Sequence, residues 1–296
     1  MEDIILMKNL FTLLSAALLM FFTGACQREK IVLEELPSEY QMVAHCYVDA
    51  DSSKLITCKL NQAQAVFGQV NLETKPISDA TIEIGSNGNW VQLIYDDMNQ
   101  MYQINAPEGF FEDNQKLELK INHPVFPTAT SEIQLIPDYK TEQIHAKVRI
   151  VRNTVDSSQT LSYSITWEDQ ANQKNYYRII PQIGYVNIDM PGDTFYMAPS
   201  FGKIFLADET NKKANTIEWN ATSEFYPFAE NGFEPVSVKI HILNIDKAYY
   251  DYHLFIQRMN SDGGFVEPSF FSGNINQAYG IFAACNGLSE KTFPLE

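Results

Sequence analysis

Positive charge is scarce in this chain: 21 Lys and Arg stand against 37 Asp and Glu, a formal net charge of −16. That balance excludes long-range attraction to nucleic acid or to anionic headgroups. Cysteine is rare too, at four residues, too few for the dense disulfide framework of a small secreted scaffold. The five histidines (His45, His123, His145, His241, His253) show no H-x-x-x-H or H-x-H spacing, so neither zinc ligation nor a nucleophile–base pair is legible on any one element. The G-x-S-x-G, H-E-x-x-H, P-loop and dinucleotide fingerprints are all missing. No catalytic, cofactor-binding or metal residues are assigned, and the chain is read as non-enzymatic. Asp49-x-Asp51-x-Ser53 opens like a calcium loop but lacks the sixth-place Gly and has Leu60 where an acid is needed. A hairpin turn is the better reading. Asp96-Asp97 likewise reads as a polar turn.

A long hydrophobic run is also lacking. The apolar stretch Leu10 to Phe22, broken by Thr12 and Ser15, falls short of the roughly 20 residues that a bilayer span needs. It matches a secretory core of about 7–15 residues. Lys8 precedes it, and Gly24-Ala25-Cys26 follow. Small residues and then a cysteine resemble a bacterial lipobox, so Cys26 is the expected lipid-attachment site. Residues 1–25 then form a signal peptide, with Met7 the expected start. Residues 26–39, rich in Glu, Lys and Arg, read as a charged tether holding the folded part clear of the bilayer. The chain is therefore expected to be exported and lipid-anchored.

What remains is dominated by period-two alternation. Ile82 and Ile84 alternate with Thr81 and Glu83, and Ile144, Ala146, Val148 and Ile150 with His145, Lys147 and Arg149. Leu161, Tyr163, Ile165 and Trp167 follow the same rhythm. Turn signals such as Gly85-Ser86-Asn87-Gly88 and Pro107-Glu108-Gly109 separate the runs. Short strands at this spacing predict an all-β protein: an antiparallel β-sandwich over 40–138 and a second, mostly β domain over 139–296. If Asp51-Ser52-Ser53 form a hairpin loop, Val48 faces Ile56, Cys46 faces Cys58 and Ala44 faces Leu60, all on one apolar face. That register admits a Cys46–Cys58 disulfide; two buried thiols packing as small apolar groups fit the same pattern. Cys285 is expected to be a buried free thiol.

One helix interrupts the strands. Asp246 is placed to cap a segment whose Tyr249, Tyr252, Ile256 and Met259 share a face, and Gly263-Gly264 end it. Aromatics crowd the second half, several in Pro- and Gly-bearing stretches such as Met190-Pro191-Gly192-Asp193-Thr194-Phe195-Tyr196 and Phe225-Tyr226-Pro227-Phe228. Sheet packing accounts for most of them. The loop-borne ones are candidates for a binding surface.

Three stretches together resemble one family. They are Lys75-Pro76-Ile77-Ser78-Asp79-Ala80-Thr81-Ile82-Glu83-Ile84 with Met101-Tyr102; Asp169 with Asn175-Tyr176-Tyr177-Arg178; and Tyr249-Tyr250-Asp251-Tyr252 with Phe265-Val266-Glu267-Pro268, Asn274-Ile275 and Gly280-Ile281-Phe282. In that order they resemble the Bacteroidota lipoproteins of domain-of-unknown-function family 4249. The chain departs from the pattern at Gln277-Ala278, where the family usually has Gly-Gly, and at Met101, where it usually has Gly. The resemblance implies an immunoglobulin- or transthyretin-like N-terminal sandwich and a TonB-dependent outer-membrane receptor as partner. It supplies no catalytic residues. The expected function is a surface-exposed outer-membrane lipoprotein, held in the bilayer by acylated Cys26, that binds an unknown ligand as accessory to such a receptor. A fimbrillin-like structural subunit is the alternative.

Overall fold

The computed structural model describes residues 41–51, 53–62, 75–112, 115–137, 141, 143–152, 159–169, 174–189, 192–199, 204–225, 232–261 and 273–295. The signal peptide, Cys26, the tether, the Phe225–Phe228 loop beyond its first residue, and Gly263-Gly264 lie outside them.

The first half contributes β1 (Met42–Asp49), β2 (Leu55–Gln62), β3 (Thr81–Ser86), β4 (Asn89–Gln92), β5 (Ile94–Asp96), β6 (Met101–Asn105), β7 (Lys116–Asn122) and β8 (Ala129–Gln134). The second adds β9 (Ile144–Arg152), β10 (Gln159–Glu168), β11 (Tyr176–Asn187), β12 (Phe195–Met197), β13 (Phe205–Asp208), β14 (Lys212–Lys213), β15 (Thr216–Phe225), β16 (Phe233–Ile245), helix α1 (Lys247–Ser261) and β17 (Tyr279–Pro294). The protein is all-β with one described α-helix, because β-branched and aromatic residues at period two favour a pleated, half-buried surface.

A nine-stranded sheet organises the rest, in the order β12-β11-β16-β17-β1-β2-β6-β5, with β13 also on β11. Two four-stranded sheets, β4-β3-β7-β8 and β14-β15-β10-β9, stand apart from it. One core joins β1, β2 and β6 to β3 and β7, and contains Met42, Ile56, Ile82, Leu119 and Phe282. A second joins β9, β10 and β15 to β11 and β16, and contains Val148, Tyr163, Trp167, Tyr177 and Ile240. The sequence boundary near 138 falls between Leu135 of the first core and Ile144 of the second. The large sheet nevertheless runs through both, because β17 contributes Phe282 and Ala284 to one core and Leu288 to the other.

The β1–β2 hairpin has the register that the alternation predicts: Val48 opposite Ile56, Cys46 opposite Cys58, Ala44 opposite Leu60. Asp49 closes its turn by accepting from Ser53 Oγ at 2.5 Å and from Asp51 N at 3.1 Å. Its carboxylate thus does turn work. Asp96 does the same in the next hairpin, accepting from Met98 N at 2.9 Å and Asn99 Nδ2 at 2.7 Å. Cys46 and Cys58 are fully buried and joined by a disulfide with Cα atoms 4.0 Å apart. Closing a loop of 12 residues restricts the unfolded chain by about 3 kcal/mol. Substituting both cysteines by alanine is therefore expected to lower the urea midpoint by that equivalent; an unchanged midpoint would refute it.

The β1–β17 pairing differs from an antiparallel sandwich. These two strands run parallel, Val43 beside Tyr279 through Asp49 beside Cys285. Nothing in local alternation encodes a partner more than 230 residues away, since periodicity reports which face is buried and not which strand lies alongside.

The turn before β17 explains the glycine pattern of the third motif. Gln277 has φ 64° and Gly280 φ 113°. The left-handed position at Gln277 is where the family usually carries glycine, and a side chain there costs backbone strain. Gln277 is exposed, so Gln277→Gly removes strain without removing a packed group. It should raise stability by about 0.5–1 kcal/mol, read as a higher melting temperature. In the β5–β6 turn the left-handed residue is Gln100 (φ 52°), one place before Met101. Counting back from Tyr102, the glycine of a Gly-x-Tyr pattern therefore falls on Gln100.

Candidate functional site

Strand alternation sends the Asn175-Tyr176-Tyr177-Arg178 motif to both faces of β11. Asn175 and Tyr177 turn to the second core side, where Asp169 collects them. Its buried carboxylate accepts from Asn175 Nδ2 at 3.0 Å and from Tyr177 Oη, and Lys212 Nζ stands 2.5 Å from Oδ2. Trp167 packs edge-on against Tyr177, with centroids 5.2 Å apart. This half of the motif is structural.

Tyr176 and Arg178 point to the opposite face, beneath α1. There a third apolar cluster gathers Tyr176, Leu243, Ile245, Tyr249, Ile281 and Ala283. Asp246 seats the helix on this face. Its Oδ1 accepts from Tyr249 N at 2.6 Å, and its Oδ2 accepts from Ala284 N of β17 at 2.8 Å. One carboxylate thus caps the helix and continues the strand pairing, which is why the chain can leave β16 and turn back over the sheet. Burial pushes the Asp246 carboxyl up to about 6 against the pull of those N–H donors. The most buried face of α1 is built on Tyr249 and His253 rather than on Tyr252 and Ile256, which are only half-buried. His253 is a packed residue one helical turn beyond Tyr249, a position that the Tyr and Ile spacing alone did not single out.

Between α1 and the exposed face of β1–β2 lies an open depression of about 280 Å³, lined by Tyr47, Asp49, Leu55, Thr57, Arg178, Tyr249, His253 and Cys285. Tyr249 and His253 rings lie 4.4 Å apart, Tyr47 meets Tyr249 edge-on at 5.6 Å, and Tyr47 stacks with His253 at 6.4 Å. Arg178 donates through Nη1 to Tyr249 Oη, and its guanidinium carbon lies 5.7 Å from that ring's centroid. Among the described residues Arg178 has no carboxylate partner, and Tyr47 Oη has no hydrogen-bond partner.

The electrostatics of this depression follow from burial and from one cation. Burial, with Arg178 and His45 nearby, pulls the His253 imidazole down to about 4, so it is neutral at physiological pH. Burial, reinforced by Asp49, pushes the Cys285 thiol up to about 12. Burial also raises the Tyr47 and Tyr249 hydroxyls. Among the described residues Arg178 is thus the one fully charged cation lining the depression, beside neutral aromatic groups, and the lining also includes Asp49. Among the described residues, neither ring nitrogen of His253, itself 9% exposed, has a hydrogen-bond partner.

Of the aromatic-bearing stretches expected as binding loops, residues 192–196 are described, and Phe195 and Tyr196 lie in strand β12 rather than in a loop, because they pair with Tyr185 and Gly184 of β11. Phe195 stacks on Tyr185 at 5.5 Å and meets Phe233 edge-on at 5.1 Å, while keeping 38% of its surface exposed. His123 bonds Asp79 at 3.0 Å on the surface, away from the depression. Cys285 lines it as a free thiol. Sequence reasoning missed the convergence of Arg178, Tyr249 and His253. The signal was available only as two separate motif fragments, Asn175–Arg178 and Tyr249–Tyr252.

The family described as Domain of unknown function (DUF4249) matches residues 28–291. Among curated proteins, none matches the chain.

Proposed function

The chain belongs to the DUF4249 family, and on that footing we propose that it is an outer-membrane lipoprotein, exposed at the cell surface, that binds a ligand as a non-enzymatic accessory to a TonB-dependent receptor. The observation that carries the address is the leader: an apolar run from Leu10 to Phe22, then Gly24-Ala25-Cys26. Acylated Cys26 is the anchor, and 26–39 the spacer. No described helix is long and apolar enough to cross a membrane.

Binding rather than catalysis is supported by the character of the depression. A nucleophilic cysteine works as a thiolate, yet Cys285 is held protonated near pH 7 by burial and by the neighbouring Asp49. A guanidinium that is bonded to Tyr249 and paired with no carboxylate among the described residues suits recognition, since Arg and Tyr combine apolar area with fixed donors.

The test has two arms. Cells fed labelled palmitate should incorporate it into the wild-type chain, and Cys26→Ser should lose the label and leave the membrane fraction. A wild-type protein that takes up no palmitate would overturn the anchor. An affinity pull-down from outer membranes should recover a TonB-dependent receptor; repeated recovery of none would overturn the accessory role.

A further inference from the structure

We propose that the depression between α1 and the β1–β2 face binds a small zwitterion, a free α-amino acid with an apolar or aromatic side chain, its carboxylate on Arg178 and its ammonium at Asp49. The inference rests on the reading of this chain as a binding protein and names the class of ligand.

Four observations carry it. Arg178 is set under α1 by the alternation of β11, bonded to Tyr249 and paired with no carboxylate among the described residues. A guanidinium held by a neutral phenol keeps most of its five donors, in the fork that matches a carboxylate. Second, Asp49 lines the same space, and it forms no ion pair with Arg178. Its turn bonds come from Ser53 and Asp51 and leave lone pairs to accept from an ammonium. A pocket that keeps one cation and one anion apart is complementary to a ligand carrying both charges.

Third, the chain's net charge of −16 repels a simple anion at long range, whereas a zwitterion carries no net charge. Fourth, His253 is nine-tenths buried at the wall, and among the described residues neither ring nitrogen has a hydrogen-bond partner, which leaves polar atoms there for a ligand group to satisfy. A volume of about 280 Å³ lies just below the roughly 300–1,000 Å³ of drug-sized ligand pockets, which suits a smaller ligand. Half-buried Tyr47, whose hydroxyl has no hydrogen-bond partner among the described residues, and Leu55 line the depression and offer an apolar side chain its contact.

Titration calorimetry on the full chain in detergent decides the matter with three probes that differ only in charge: phenylalanine, 3-phenylpropionate and phenethylamine. Phenylalanine should bind most tightly, phenylpropionate about tenfold more weakly, and phenethylamine not measurably. Arg178→Met should weaken phenylalanine and phenylpropionate alike, by about tenfold or more. Asp49→Asn should weaken phenylalanine but leave phenylpropionate unchanged or improved. If Arg178→Met disturbs folding through Tyr249, which circular dichroism would reveal, Arg178→Lys carries the same arm because it keeps the charge and loses the fork. No heat from phenylalanine at millimolar concentration on the wild type would overturn the proposal, as would equal affinity in the Arg178 variant. These outcomes are independent of the receptor pull-down: loss of the receptor with binding retained removes only the accessory role.

Discussion

Replacing Gly280 by alanine is expected to cost about 4 kcal/mol or more, enough to unfold much of a marginally stable protein. Gly280 is the first glycine of the Gly-Ile-Phe stretch and lies opposite Ala44 in the parallel β1–β17 pair. Its φ of 113° lies where L side chains are rarely found. A Cβ there would sit 1.9 Å from the Ala44 carbonyl oxygen and 2.8 Å from its carbon. Both obstacles are backbone and cannot rotate aside. Relief would require β17 to move off β1, which opens the centre of the nine-stranded sheet and uncovers Phe282 and Ala284 in the first core. Urea denaturation of Gly280→Ala against wild type measures this, and a change smaller than about 1 kcal/mol would show that the strand yields easily. Gly273 is under the same constraint from the other side, since a Cβ on it would lie 2.2 Å from the Gly280 carbonyl oxygen.

Truncating Asp169 to alanine is expected to be nearly as severe, at about 3 kcal/mol or more. The Asp169 side chain is fully enclosed, whereas Lys212 keeps 23% of its side chain in water. Lys212 can therefore recover hydration, which moderates the loss of the ion pair. Asn175 Nδ2 and the Tyr177 hydroxyl cannot, because both are buried. Each would lose the acceptor that Asp169 provides, at about 1–3 kcal/mol apiece. Asp169→Asn retains an acceptor and the volume, so it should cost less than the alanine variant. The ordering of the two midpoints is the readout; an asparagine variant as unstable as alanine would mean that the charge alone matters. Because Tyr177 and Arg178 are adjacent on β11, loosening this cluster should also blur the depression on the other face.

Much of the architecture was legible. The β1–β2 register came from the apolar alternation of Ala44, Cys46 and Val48 against Ile56, Cys58 and Leu60, because a one-residue slip would expose the whole set. The cap at Asp246 came from a short polar side chain ahead of a helical pattern. What could not be read was pairing at long range and which side chains meet. The helical spacing named Tyr252 and Ile256 beside Tyr249, while the packing of α1 over Tyr47 and Arg178 buries His253 more deeply than either.

By itself the sequence determined an all-β chain, a helix after Asp246, a short apolar run ahead of Gly24-Ala25-Cys26, and membership of a family whose match spans 28–291. These are local properties: residue period, cap chemistry and a short apolar leader each act within a few residues of chain. Only the tertiary structure decided that β17 returns alongside β1, and that Tyr47 and His253, from two other elements, line one open depression with the Arg178 cation. Such contacts arise from the burial of whole strand faces and leave no spacing behind. The motif fragments around Arg178 and Tyr249 therefore stay apart in the chain and meet only in the fold.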